Sequence, residues 1–138
     1  MMDALIRQHS RWKLNLLRAI GQHFDCPKYF FQSPPAMPSE DHLRAYPGPL
    51  FAPLAQARGF SPLPFRRKIS AMPSAIYAQC CSELGATYLP RPSDGLDEDG
   101  NLTLEACDRD SSHANVHYGT LLAAQISVVQ SALKERSM

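Results

Sequence analysis

The sequence predicts an α/β fold, and three observations predict it. Apolar residues recur at helical spacing in three stretches, near 3–24, 66–84 and 118–136. Each stretch has one apolar stripe, as a helix packed on a sheet requires. Two short runs with aromatic residues, near 28–32 and 86–89, read as strands. A helix lies between those strands, so their connection is a crossover and their pairing is parallel.

In the first helix the apolar positions are Leu5, Trp12, Leu16, Leu17, Ile20 and Phe24, with a polar opposite face and Gly21 near the end. His9 and His23 read as surface residues on it. Tyr29, Phe30 and Phe31, set between Pro27 and Pro34, form the first strand. Ten of the twelve prolines fall between Pro27 and Pro73. Proline fixes φ and removes a backbone donor, so residues 33–64 read as a long irregular loop. Loops of that length in a compact domain are functional or mobile.

The second helix carries Ile69, Met72, Ile76, Tyr77 and Leu84 on one stripe. Pro73 either kinks it or opens a new first turn. Gly85 ends it, and Ala86–Leu89 follows as the second strand. The third helix steps through Leu122, Ile126, Val129 and Leu133, and Lys134 and Arg136 complement the dipole at its end. The expected buried set is Trp12, Leu16, Ile20, Phe30, Ile76, Tyr88, Leu122, Ile126 and Val129. Residues 1–138 read as a single domain, of a size that can bury a core.

Composition is that of an ordinary globular protein, 44% hydrophobic and 20% charged. A formal net charge of +1 argues against nucleic acid or a membrane surface as a general partner. Seven acids nevertheless crowd residues 91–113, against Arg91 and Arg109. Within them Asp97-Glu-Asp-Gly100 resembles a calcium loop only superficially. With Gly100 in the sixth position, the first and last ligand positions fall on Gly95 and Ala106, which cannot serve. An acidic turn is the reading that remains.

Cys26, Cys80, Cys81 and Cys107 form no C-x-x-C, and Cys80 and Cys81 fall on a helix as small buried apolar residues. A reducing compartment follows. With neither a signal-peptide core nor a membrane-length apolar run, the expected location is cytoplasmic.

Chemistry concentrates in Cys107-Asp-Arg-Asp-Ser-Ser-His-Ala-Asn-Val-His-Tyr-Gly119. Asp110 stands three residues before His113, at the expected mouth of the third helix. A carboxylate so placed can orient an imidazole, fix its tautomer and stabilise its protonated form. Two other readings of the same residues stay open. Asp110 can simply cap a helix whose first turn holds His113. Asp110, His113 and His117 can instead supply three metal ligands, although no Glu completes an H-E-x-x-H.

The block Asp110-Ser-Ser-His113-Ala-Asn115-Val-His-Tyr118-Gly119 resembles the last conserved block of the SGNH/GDSL hydrolases. The element order resembles the C-terminal part of that fold from about Leu5 to Leu133. The resemblance implies a three-layer, flavodoxin-like architecture, present as an incomplete C-terminal portion with a short parallel sheet. It implies a serine esterase acting on ester or O-acetyl groups of a small molecule or carbohydrate, without a cofactor. His113 would be the catalytic base, Asp110 its orienting carboxylate, and Asn115, Tyr118 and Gly119 structural members.

Departures from the family are large. No Gly-Asp-Ser nucleophile motif occurs, neither oxyanion block is recognisable, and no G-x-S-x-G replaces them. The expectation is therefore a truncated hydrolase, inactive alone. The competing expectation is a non-catalytic binding or assembly module, which uses an open sheet edge to form a homo-oligomer or to take a complementary chain.

Overall fold

The computed structural model describes residues 2–136, and side chains within them except those of 2–7, 9 and 136. The expectations for the side chains of Leu5, His9 and Arg136 therefore lie outside the described residues. In chain order the elements are α1 (Met2–His23), β1 (Tyr29–Phe31), α2 (Glu40–Ala45), α3 (Gly48–Arg58), α4 (Leu63–Glu83), β2 (Thr87–Leu89) and α5 (Val116–Arg136). Two single 3-10 turns, Ser93–Gly95 and Leu104–Ala106, lie between β2 and α5. The content is α/β, and no helix among the described residues is long and apolar enough to cross a membrane.

The chain divides into two compact units, one of residues 1–33 and 68–90, the other of residues 34–67 and 91–138. In the first, β1 and β2 pair in parallel, with Phe30 opposite Tyr88. Phe30 stacks on Tyr88 at 6.0 Å and lies 5.0 Å from the Tyr77 ring. These rings join Leu14, Leu17, Ile76, Cys80 and Leu84 in one cluster, so α1 and α4 bury their contact residues together with the Phe30–Tyr88 face of the sheet. Both strands and their parallel pairing agree with the sequence.

The face that α1 buries is not the expected one. Trp12, Leu16 and Ile20 are 62%, 52% and 41% exposed, and Phe24 continues their row in solvent. The inward row is Ser10, Leu14, Leu17 and Gly21, about a third of a turn around the helix. Gly21 is the physical reason. Leu84 sits 3.2 Å from the place a Cβ would occupy there, so this is where the helix allows a close neighbour. Elsewhere Phe30, Tyr88, Leu122, Ile126 and Val129 are half-buried, and Ile76 is buried as expected.

Two further expectations are corrected. Residues 33–64 are not an irregular loop, because α2 and α3 lie within them. The prolines are compatible with this because most avoid helix interiors. Pro47 is the N-cap of α3 and Pro49 lies in its first turn, where no intrahelical amide bond is needed. Ser39 caps α2 by accepting from the His42 amide at 3.1 Å. Pro73, for its part, does not interrupt α4, which runs unbroken through it.

The second unit is organised around Met37, Leu43, Leu102, Ala106, Cys107 and Tyr118, with Phe60, Ala114 and Leu122 packed against them. Its acidic segment is ordered by side chains rather than merely solvated. Asp97 Oδ1 accepts from the amides of Asp99 and Asn101 at 3.1 and 2.8 Å. Asn101, 2% exposed, also donates its side-chain amide to Asp97 and accepts from Arg67 Nε at 2.7 Å. Arg67 reaches Asp99 with its other arm, so the expected acidic turn is also tied to Arg67.

Candidate active site

The site lies in the second unit, on the loop that closes onto the start of α5. Cys107 bridges Ala114 in antiparallel fashion. The Asp108 amide donates to the His113 carbonyl at 3.1 Å, so residues 109–112 form a short tip above a bonded neck. Asn115 holds the base of the neck. Its backbone amide donates to the Ala106 carbonyl, and its side-chain amide donates to the carbonyls of Glu105 and Cys107. The Asn115 Oδ1 accepts from the Tyr118 amide at 3.3 Å, which makes Asn115 the cap of α5.

Helix α5 thus starts at Val116, and Asp110 does not cap it. Asp110 builds a separate Asx turn. Its Oδ1 accepts from the amides of Ser112 and His113, each at 2.7 Å, while its Oδ2 accepts from His113 Nδ1. One carboxylate therefore fixes both the backbone of the turn and the ring that the turn carries. The helix-cap reading required amide partners alone, and the ring contact goes beyond it.

Charge follows this geometry. Burial alone would push the Asp110 carboxyl up. The Ser112 amide, the His113 ring and the His113 amide outweigh it and hold the carboxyl down to about 2. His113 moves the other way, raised by its hydrogen bond to Asp110 and by that carboxylate's charge, with Asp108 adding a smaller push. The neutral ring keeps its proton on Nδ1, facing Asp110. Among the described residues none bonds to Nε2, so that nitrogen is left as a free acceptor.

The pair stands in the open: the His113 side chain is 73% exposed and that of Asp110 32%. Neither neighbouring serine is positioned as its nucleophile. Ser112 Oγ lies 3.4 Å from Nδ1, the nitrogen already committed to Asp110. Ser111 Oγ instead lies beside Gly48. Among the described residues no three His, Cys, Asp or Glu side chains gather to hold a metal ion, so Asp110, His113 and His117 do not converge.

Tyr118 is a structural member of the block, 2% exposed, with its ring edge 2.7 Å from a Cβ placed at Gly95. Gly119 is not. It is exposed, with nothing within 4 Å of such a Cβ. The sequence reading missed His42, whose Nε2 lies 2.9 Å from the Asp108 carbonyl and 3.2 Å from that of Asp110. No local pattern could have joined residues so far apart in the chain.

The geometry defines a carboxylate–imidazole pair on a tied surface turn. Compared with protein-family models, curated proteins and solved structures, the chain matches none.

Proposed function

We propose that Asp110 and His113 are the carboxylate–imidazole half of an SGNH/GDSL-type esterase site, borne by the C-terminal part of such a hydrolase. The observation that carries this reading is the Asp110 Oδ2 contact to His113 Nδ1, with Nε2 left unbonded. In that arrangement Nε2 takes the proton of an attacking serine hydroxyl as the new ester bond forms, then returns it to the departing alkoxide. Asp110 holds the tautomer and stabilises the imidazolium. The substrate is an ester or O-acetyl group of a small molecule or carbohydrate. The serine and the oxyanion donors come from outside these 138 residues.

The test uses p-nitrophenyl acetate. The 138-residue chain alone is expected to show no turnover above background. Joined in frame to an upstream segment carrying Gly-Asp-Ser, it is expected to turn over, and His113→Ala then to lose about 10²–10⁴-fold. Turnover that survives His113→Ala would remove His113 from the chemistry.

A different observation favours a second reading, an assembly module. Trp12, Leu16, Ile20 and Phe24 form an exposed apolar row along one face of α1, the kind of surface a partner chain can cover. This reading expects a concentration-dependent oligomer in sedimentation, and a folded monomer at all concentrations would count against it.

A further inference from the structure

His42 sits on α2, a six-residue helix inside the proline-rich stretch. Three features fix where its ring goes. Ser39 accepts from its backbone amide at 3.1 Å. Its neighbour Leu43 is buried in the core with Cys107 and Tyr118. Its ring lies 5.1 Å from that of Tyr46. From there Nε2 meets two carbonyl oxygens, those of Asp108 and Asp110. Carbonyls only accept, so Nε2 must carry the hydrogen, and one N–H is shared between the two.

The two acceptors matter because of where they lie. Asp108 begins the neck of the loop and Asp110 is in its tip. Their oxygens converge on one donor, which therefore ties the neck of the loop to its tip. The Asp110 carbonyl also opens the stretch whose Ser112 and His113 amides hold the Asp110 carboxylate.

We propose that His42 is a positioning residue for the Asp110–His113 pair. Its Nε2–H bridges the Asp108 and Asp110 carbonyls and so sets the turn that holds the Asp110 carboxylate on His113 Nδ1. The functional meaning of this role rests on the acid–base reading above, whereas the geometry stands independently of it. His42 itself touches no reacting atom.

The experiment follows ring ¹⁵N and ¹H shifts of the full chain with pH, in the wild type, His42→Ala and His42→Gln. In the wild type His42 is expected in its Nε2–H tautomer and His113, when neutral, in its Nδ1–H tautomer. In His42→Ala the His113 pKa is expected to fall back towards the ordinary 6.5. His42→Gln, whose carboxamide can donate to the same carbonyls, is expected to keep most of the elevation. A folded His42→Ala with an unmoved His113 titration overturns the proposal, as does a wild-type His42 carrying its proton on Nδ1. If His42→Ala does not fold, the wild-type tautomer and the glutamine variant still decide the matter. Failure of the esterase test, with this dependence on His42 intact, would overturn the hydrolytic reading alone.

Discussion

The Asp110 carboxylate binds the His113 backbone amide with one oxygen and the His113 ring with the other. Backbone and side chain of one residue are thereby locked to a single partner. The ring is consequently aimed by a three-residue turn, without help from a buried wall.

Stability should carry the signature of this pair. Asp110 has a folded-state pKa lowered from 3.8 to about 2, so its contribution is present above the unfolded value and lost as pH falls towards 2. His113 is raised, so its contribution is complete below the unfolded value of 6.5 and lost as pH rises through the folded one. Between those limits the wild type should exceed Asp110→Asn most. Subtracting the two melting profiles against pH checks this, and a constant difference from pH 2 to 9 would contradict it. The pair is well exposed, so solvent screening keeps the effect small.

Trp12 is the single tryptophan, and its side chain is in water. Its emission should lie at the red, exposed end and be readily quenched by iodide in the native protein. The two rows of α1 should separate on mutation. Leu14→Ala is expected to destabilise by about 2–3 kcal/mol, as a buried leucine does. Leu16→Ala should change stability by no more than about 0.5 kcal/mol. Chemical denaturation measures both, and the reverse order would mean that the other face of α1 is the packed one.

The glycines at positions 95 and 119 should respond oppositely to alanine. At Gly95 the new methyl would meet the buried Tyr118 ring at 2.7 Å, and overpacking of that kind costs about 1–3 kcal/mol. At Gly119 the site is open and helical, and alanine should stabilise by about 0.5–1 kcal/mol. Melting temperatures of the two variants moving in the same direction would refute this.

Asn101 joins Asp97 and Arg67 while almost wholly buried. Asn101→Ala would leave two charged partners without their shared hydrogen bonds, at a cost of about 2–4 kcal/mol. Urea unfolding reads the loss, and a change within about 0.5 kcal/mol would show the network to be ornamental.

By itself the sequence determined the two strands and the three long helices. Tyr29–Phe31 could be read as a strand because a short aromatic run bounded by prolines has little other use. The positions of α1, α4 and α5 followed from apolar spacing, and the Asp110–His113 contact followed from a separation of three residues. What those patterns report is proximity along the chain.

The tertiary structure decided what depends on fit between distant segments. Apolar spacing pointed to the Trp12 row of α1, yet packing selected the row with Gly21, where Leu84 can approach. The prolines of residues 33–64 spoke against helices, yet α3 takes Pro47 at its cap and Pro49 in its first turn, and carries Pro53 in its interior. His42 reaches Asp108 and Asp110 across more than sixty residues, through one hydrogen on one nitrogen. Such a bond leaves no periodicity, since it arises only once Leu43 has seated α2 in the core.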